Sequence, residues 1–132
     1  MRVGPFATQT DAVIVRPEHT LAEAARRIHE RRVGSAVVVS EGEDPGIITE
    51  RDLLRAIAEG ADPTTTMVGP YTTHHAVTVS PDWHVVDAAR MMVERGFRHL
   101  ILVDSTGQIV SILSIRDMLR ALLEDRQGML AG

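Results

Sequence analysis

The apolar positions of this chain fall in short blocks whose period changes in a fixed order. Ala12-Val13-Ile14-Val15 is a continuous apolar run stopped by Pro17, the form of a short strand. Leu21, Ala24, Ala25 and Ile28 then recur at helical spacing. Thr20 and Glu23 at the head of that pattern have the form of a capping box. The hydroxyl takes a free N–H of the first turn, and the carboxylate reaches back to the cap. A second apolar run, Ala36-Val37-Val38-Val39, predicts a buried strand. The turn-forming stretch Glu41-Gly42-Glu43-Asp44-Pro45-Gly46 separates it from a third strand at Ile47-Ile48. A last helix begins near Thr49 and carries Leu53, Leu54 and Ile57 on its apolar stripe. The order is β-α-β-β-α.

The same order returns 64 or 65 residues later, and the residues return with it. Val3-Gly4-Pro5-Phe6-Ala7-Thr8 matches Val68-Gly69-Pro70-Tyr71-Thr72-Thr73. Ala12-Val13-Ile14-Val15-Arg16-Pro17 matches Ala76-Val77-Thr78-Val79-Ser80-Pro81, and Ala24-Ala25-Arg26 matches Ala88-Ala89-Arg90. Ile47 through Ala56 matches Ile112 through Ala121. In the second copy His84 stands where Thr20 caps the first helix, a weaker cap that Asp82 or Asp87 could supplement. The repeat divides the chain into a first copy at 1–62, a linker and the start of the second copy at 63–73, the second copy at 74–127, and a tail at 128–132. Gly60, Pro63, Gly69 and Pro70 punctuate the linker.

One copy has only three strands and would leave a sheet face uncovered, which is marginal for so small a unit. The expected fold is therefore α/β, with two βαββα repeats packed sheet to sheet about a pseudo-twofold axis.

Composition narrows the chemistry. The core must be aliphatic, because aromatics make up 3% of a chain that is 44% apolar. There is no cysteine, so disulfides and thiolate chemistry are excluded. The net charge of −4 argues against nucleic-acid binding, which needs a basic face. No run reaches the roughly 18 apolar residues of a membrane span, and no signal-peptide pattern opens the chain, so the expected location is the cytoplasm. All 14 basic residues are arginine, so an anion site here would use a guanidinium fork or a histidine. No nucleophile–base pattern, Gly-rich phosphate loop or metal-protease motif is present, and the chain reads as a non-enzyme with no catalytic residues. Adjacent His74 and His75 would point to opposite faces of an extended segment, so with His84 they make a poor metal set, and no metal site is assigned. Trp83 reads as a packing anchor beside a helix start.

Gly46-Ile47-Ile48-Thr49-Glu50-Arg51-Asp52 stands at a strand-to-helix junction. It returns as Ser111-Ile112-Leu113-Ser114-Ile115-Arg116-Asp117. Together with Phe97-Arg98-His99-Leu100-Ile101-Leu102-Val103-Asp104, these segments resemble the CBS domain, named for cystathionine β-synthase. The resemblance covers about residues 3–126. It implies tandem repeats that bind an adenosine-containing nucleotide in a cleft between them, with AMP, ADP, ATP or S-adenosylmethionine as candidate ligands and no required cofactor. Carried over, Asp52 and Asp117 would hold ribose hydroxyls, with Thr49 and Ser114 beside them and Ile47 and Ile112 as apolar walls for the base. Arg98 and His99 would face phosphate. Their counterparts Gly34 and Ser35 carry no charge, so Asp52 with Arg98 and His99 would form the better-equipped site. The resemblance further implies a homodimer and a regulated partner protein that the sequence does not identify.

Simpler roles stand beside these. Thr49-x-x-Asp52 and Ser114-x-x-Asp117 have nearly the form of capping boxes, with Asp in place of Glu, and serve a helix with or without a ligand. Arg98 reads equally as a solvated cation. The second functional reading is thus a dimerisation or interaction module with no physiological ligand.

Overall fold

A computed structural model describes residues 1–6 and 12–131, with side chains through Glu124. Ala7 and Thr8 of the repeat, and Gly132 of the tail, lie outside the described residues. Two compact units are present: Val13–Ala76, and Met1–Ala12 together with Val77–Gly132. Each contains the β-α-β-β-α order read from the sequence.

In the unit Val13–Ala76, β1 (Ile14–Val15) pairs parallel with β2 (Ser35–Val38), which pairs antiparallel with β3 (Gly46–Thr49). The helix α1 (Leu21–Arg31) makes the crossover between the parallel strands, and α2 (Glu50–Ala58) follows β3 without a loop. Val15, Leu21, Ile28, Ala36, Val38 and Ile48 form the centre of its aliphatic core. Val37 and Ile47, at the alternate positions of β2 and β3, are outside that cluster and yet buried. Both faces of the sheet are therefore covered, which is why the strands read as unbroken apolar runs.

The second unit repeats this plan. Its strands are β4 (Thr78–Val79), β5 (His99–Val103) and β6 (Ile109–Ser114), again parallel then antiparallel. The helices are α3 (Val85–Arg95) and α4 (Ile115–Ala131). Leu100, Leu102 and Leu113 belong to its core, and Ile101 and Ile112 are buried at the alternate positions.

The units are not cut where the repeats are cut. Val3 and Phe6 open the first repeat, yet they are buried in the second unit's core beside Val79, Val85 and Met118. The Val3 N–H donates to the Trp83 carbonyl at 2.9 Å, and Trp83 packs against the same core. Likewise Val68 and Tyr71, which open the second repeat, join the core of Val13–Ala76. Each Val-Gly-Pro-aromatic segment caps the unit that precedes or follows its own repeat, because its two apolar anchors need a core within reach.

One helix cap departs from expectation, and another follows it. Thr20 accepts from the Glu23 N–H at 3.2 Å, but the capping box is one-sided. Arg26 and Arg27 take the Glu23 carboxylate instead. The hydrogen bond from Arg27 is the main reason that carboxyl is held below its usual range. At α3, His84 is itself the cap, with Nδ1 accepting from the Val86 N–H at 3.2 Å.

Candidate functional site

The strongest constellation sits where β3 runs directly into α2. Thr49 is the last strand residue and the cap of the helix, with extended backbone at φ −114°, ψ 167°. Its hydroxyl accepts from the Asp52 N–H at 3.2 Å. The Asp52 Oδ2 accepts from the Thr49 N–H at 2.8 Å and from its hydroxyl at 2.9 Å. The capping box suggested by the sequence is therefore fully closed.

The β6–α4 junction builds the same clasp. Asp117 Oδ2 accepts from the Ser114 N–H and hydroxyl, each at 2.8 Å, and the Asp117 N–H donates to Ser114 Oγ at 3.1 Å. Both carboxylates are mostly shielded, with 17% of the Asp52 side chain and 13% of the Asp117 side chain exposed.

The clasp leaves one oxygen of each carboxylate outside the cap, and the copies treat it differently. Asp117 Oδ1 accepts a hydrogen bond from Arg120 at 3.2 Å, and the same Arg120 Nη2 reaches the Phe6 carbonyl at 3.1 Å. Among the described residues, Asp52 Oδ1 has only a 3.8 Å ion pair with Arg55, whose guanidinium lies 5.9 Å from the centroid of the Tyr71 ring. A hydroxyl donor would therefore meet less competition at Asp52 than at Asp117.

Around each clasp, the register decides what lies near it. Ser35 is opposite Thr49, and His99 is opposite Ser114. Gly34 and Arg98 stand just before these strands, and their carbonyls accept from Glu50 N–H at 3.0 Å and Ile115 N–H at 2.8 Å. Thus Gly34, Ser35, Ile47, Thr49 and Asp52 gather at one end of the first sheet. Arg98, His99, Ile112, Ser114 and Asp117 gather at the equivalent end of the second. Arg98 is exposed and His99 is partly buried.

Three features escaped the sequence reading. Thr73 runs antiparallel beside Ile47, each N–H donating to the other's carbonyl at 2.9 Å. A Cβ on Gly46 would stand 2.7 Å from the Thr72 methyl and 2.8 Å from the Thr73 carbonyl oxygen, so close approach explains the glycine. Arg55 and Arg120 were visible as a repeated residue, but only the fold aims them at the Asp oxygens. Elsewhere, His75 has a left-handed backbone (φ 54°) and lies 3.4 Å from the exposed Asp44 carboxylate. Among the described residues, no group of three or more His, Cys, Asp or Glu is arranged to hold a metal ion.

The model of the CBS domain matches this sequence twice, at residues 3–59 and 68–124. The chain belongs to the CBS domain family. Among curated relatives, an uncharacterised 17.7 kDa protein of Acidianus ambivalens is 42% identical over 93% of this chain and 74% of its own length. A Methanopyrus kandleri protein is 34% identical over 89% of this chain, which spans 61% of it. Among solved structures, a CBS domain protein from Pyrobaculum aerophilum complexed with AMP aligns with a TM-score of 0.76 and 30% identity, covering 89% of both chains. The protein CBSX2 in complex with AMP aligns at 0.71 and 27% identity, covering 95% of this chain and 98% of its own. Repeated α/β units of this kind are thus the CBS-pair fold.

Proposed function

We propose that this chain is a non-catalytic regulatory module that senses an adenosine-containing nucleotide. The observation that carries the reading is the clasp at Asp52. A carboxylate is oriented by two donors on Oδ2, and its Oδ1 is left to accept from a vicinal diol. The AMP named with two similar CBS proteins supports the same ligand class. Thr49 and Ser114 act as positioning residues through their clasps, and Ile47 and Ile112 offer apolar surface to a base. Arg98 and His99 supply the donors for phosphate.

Calorimetry with AMP, ADP, ATP and S-adenosylmethionine tests this. A ligand that binds only the folded state raises stability by about 2.7 kcal/mol at one hundred times its Kd, so thermal shift reports it independently. Asp52→Ala is expected to weaken nucleotide binding more than Asp117→Ala. Arg98→Ala is expected to weaken AMP more than adenosine. A larger loss from Asp117→Ala, or equal losses of AMP and adenosine from Arg98→Ala, would sink the assignment.

One observation favours the second reading, an interaction module without a ligand: every hydrogen bond to Asp52 Oδ2 and Asp117 Oδ2 is accounted for by helix capping. In the first reading the protein passes its occupancy to a partner; in the second it serves self-association or partner binding alone.

A further inference from the structure

The two copies place opposite charge at one equivalent corner. The amide–carbonyl bonds described above fix residue 50 beside residue 34, and residue 115 beside residue 98. In the first copy the corner holds Gly34, Ser35 and the exposed Glu50. A methyl group built on Gly34 would stand 3.7 Å from the Glu50 carboxyl carbon and 3.8 and 3.9 Å from its oxygens. The carboxylate therefore lies over the bare glycine. In the second copy the same corner holds Arg98, His99 and the uncharged Ile115. Among the described residues neither Glu50 nor Arg98 forms an ion pair. The arginines nearest Glu50 in the chain or at its corner, Arg31, Arg32 and Arg51, are all exposed, and none pairs with it.

We infer that Glu50 is a specificity-determining residue. The corner of the first copy selects against phosphate and takes an adenosyl ligand whose 5′ substituent is neutral or cationic, while the corner of the second copy takes the phosphate. The inference rests on the nucleotide reading above and adds to it a ligand class for each copy. The physical ground is charge. A phosphate brought to Gly34 meets a fixed like charge where the other copy offers a guanidinium donor. Because Glu50 is exposed, solvent and salt screen the repulsion, and the effect is about three- to tenfold in affinity.

Calorimetry on the full chain at low salt, with AMP, adenosine and S-adenosylmethionine as probes, tests it. The wild type should bind one AMP per chain strongly. Glu50→Gln should tighten the weaker AMP event three- to tenfold, leave adenosine within twofold, and weaken S-adenosylmethionine. Raised salt should shrink the change. The reciprocal variant Ile115→Glu should weaken the stronger AMP event and spare adenosine. Two equal AMP events in the wild type would overturn the inference. So would a Glu50→Gln change that moved AMP and adenosine alike or moved neither, with the nucleotide reading left standing. If none of the three probes binds at millimolar concentration, the nucleotide reading and this inference fall together.

Discussion

Asp52 uses Oδ2 to close the first turn of α2 and turns Oδ1 toward Arg55, 3.8 Å away. Structural and ligand-binding roles thus fall on different atoms of one side chain, and substitutions can separate them. Thr49→Ala removes the hydroxyl that accepts from the Asp52 N–H and donates to Oδ2, yet keeps the carboxylate. Urea denaturation should show a loss of about 1 kcal/mol, the usual cost of a lost cap. Ser114→Ala should cost a similar amount, because the clasp it breaks has the same geometry. A loss under a few tenths of a kcal/mol in either variant would mean that the clasp does not hold the helix start.

At the scale of elements, the β5–β6 turn makes a pH-dependent contribution. Asp104 Oδ1 accepts from the Thr106 hydroxyl at 2.6 Å, the Thr106 N–H at 2.9 Å and the Gln108 N–H at 3.0 Å. The Thr106 hydroxyl is the largest cause, with the backbone donors adding to it, and together they hold the Asp104 carboxyl below its ordinary 3.8. A depressed pKa in the folded state stabilises above the unfolded value. That contribution is complete above about pH 4 to 5 and is lost as pH falls through the lowered folded pKa. Thr106→Val should flatten the acid limb of a stability–pH curve and leave its shape above pH 6 unchanged. An unchanged acid limb would refute this account.

The contact between β3 and the returning segment 72–73 makes a second test. Gly46→Ala forces a Cβ to within 2.7 Å of the Thr72 methyl and 2.8 Å of a backbone oxygen. The expected cost is about 1–3 kcal/mol, as for other overpacked sites. A melting temperature equal to wild type would show that the Ile47–Thr73 pairing gives way easily.

For the whole molecule, the equivalent helices α2 and α4 leave apolar side chains in water. Leu54 is 68% exposed and Ile57 56%, while Leu119 is 59% and Leu123 62% exposed. Leu54 and Leu119 stand at the same repeat position. We expect self-association to cover these stripes, and twofold dimers are the commonest closed assembly. Light scattering of this protein should return a dimer, and Leu54→Glu combined with Leu119→Glu should return a monomer that is still folded. A wild-type monomer at high concentration would reject the surface.

The sequence alone determined the element order, because helical and strand periods are local properties written into successive side chains. It also determined the equivalence of the two copies. The Thr49–Asp52 and Ser114–Asp117 clasps were legible for the same reason: partners three residues apart meet as soon as the helix starts. The family resemblance rested on those same residues. The tertiary structure decided what distant residues do to one another. Glu23 left its capping role because Arg27, one turn on, competes for the same carboxylate. The Val-Gly-Pro-aromatic segments joined the cores of other units because burial of Val3, Phe6 and Val68 depends on which core lies within reach. The Asp oxygen left to Arg55 or Arg120, the closeness of Thr72 to Gly46, and the carboxylate of Glu50 over Gly34 all depend on register between separate strands and helices. No period along the chain encodes that register.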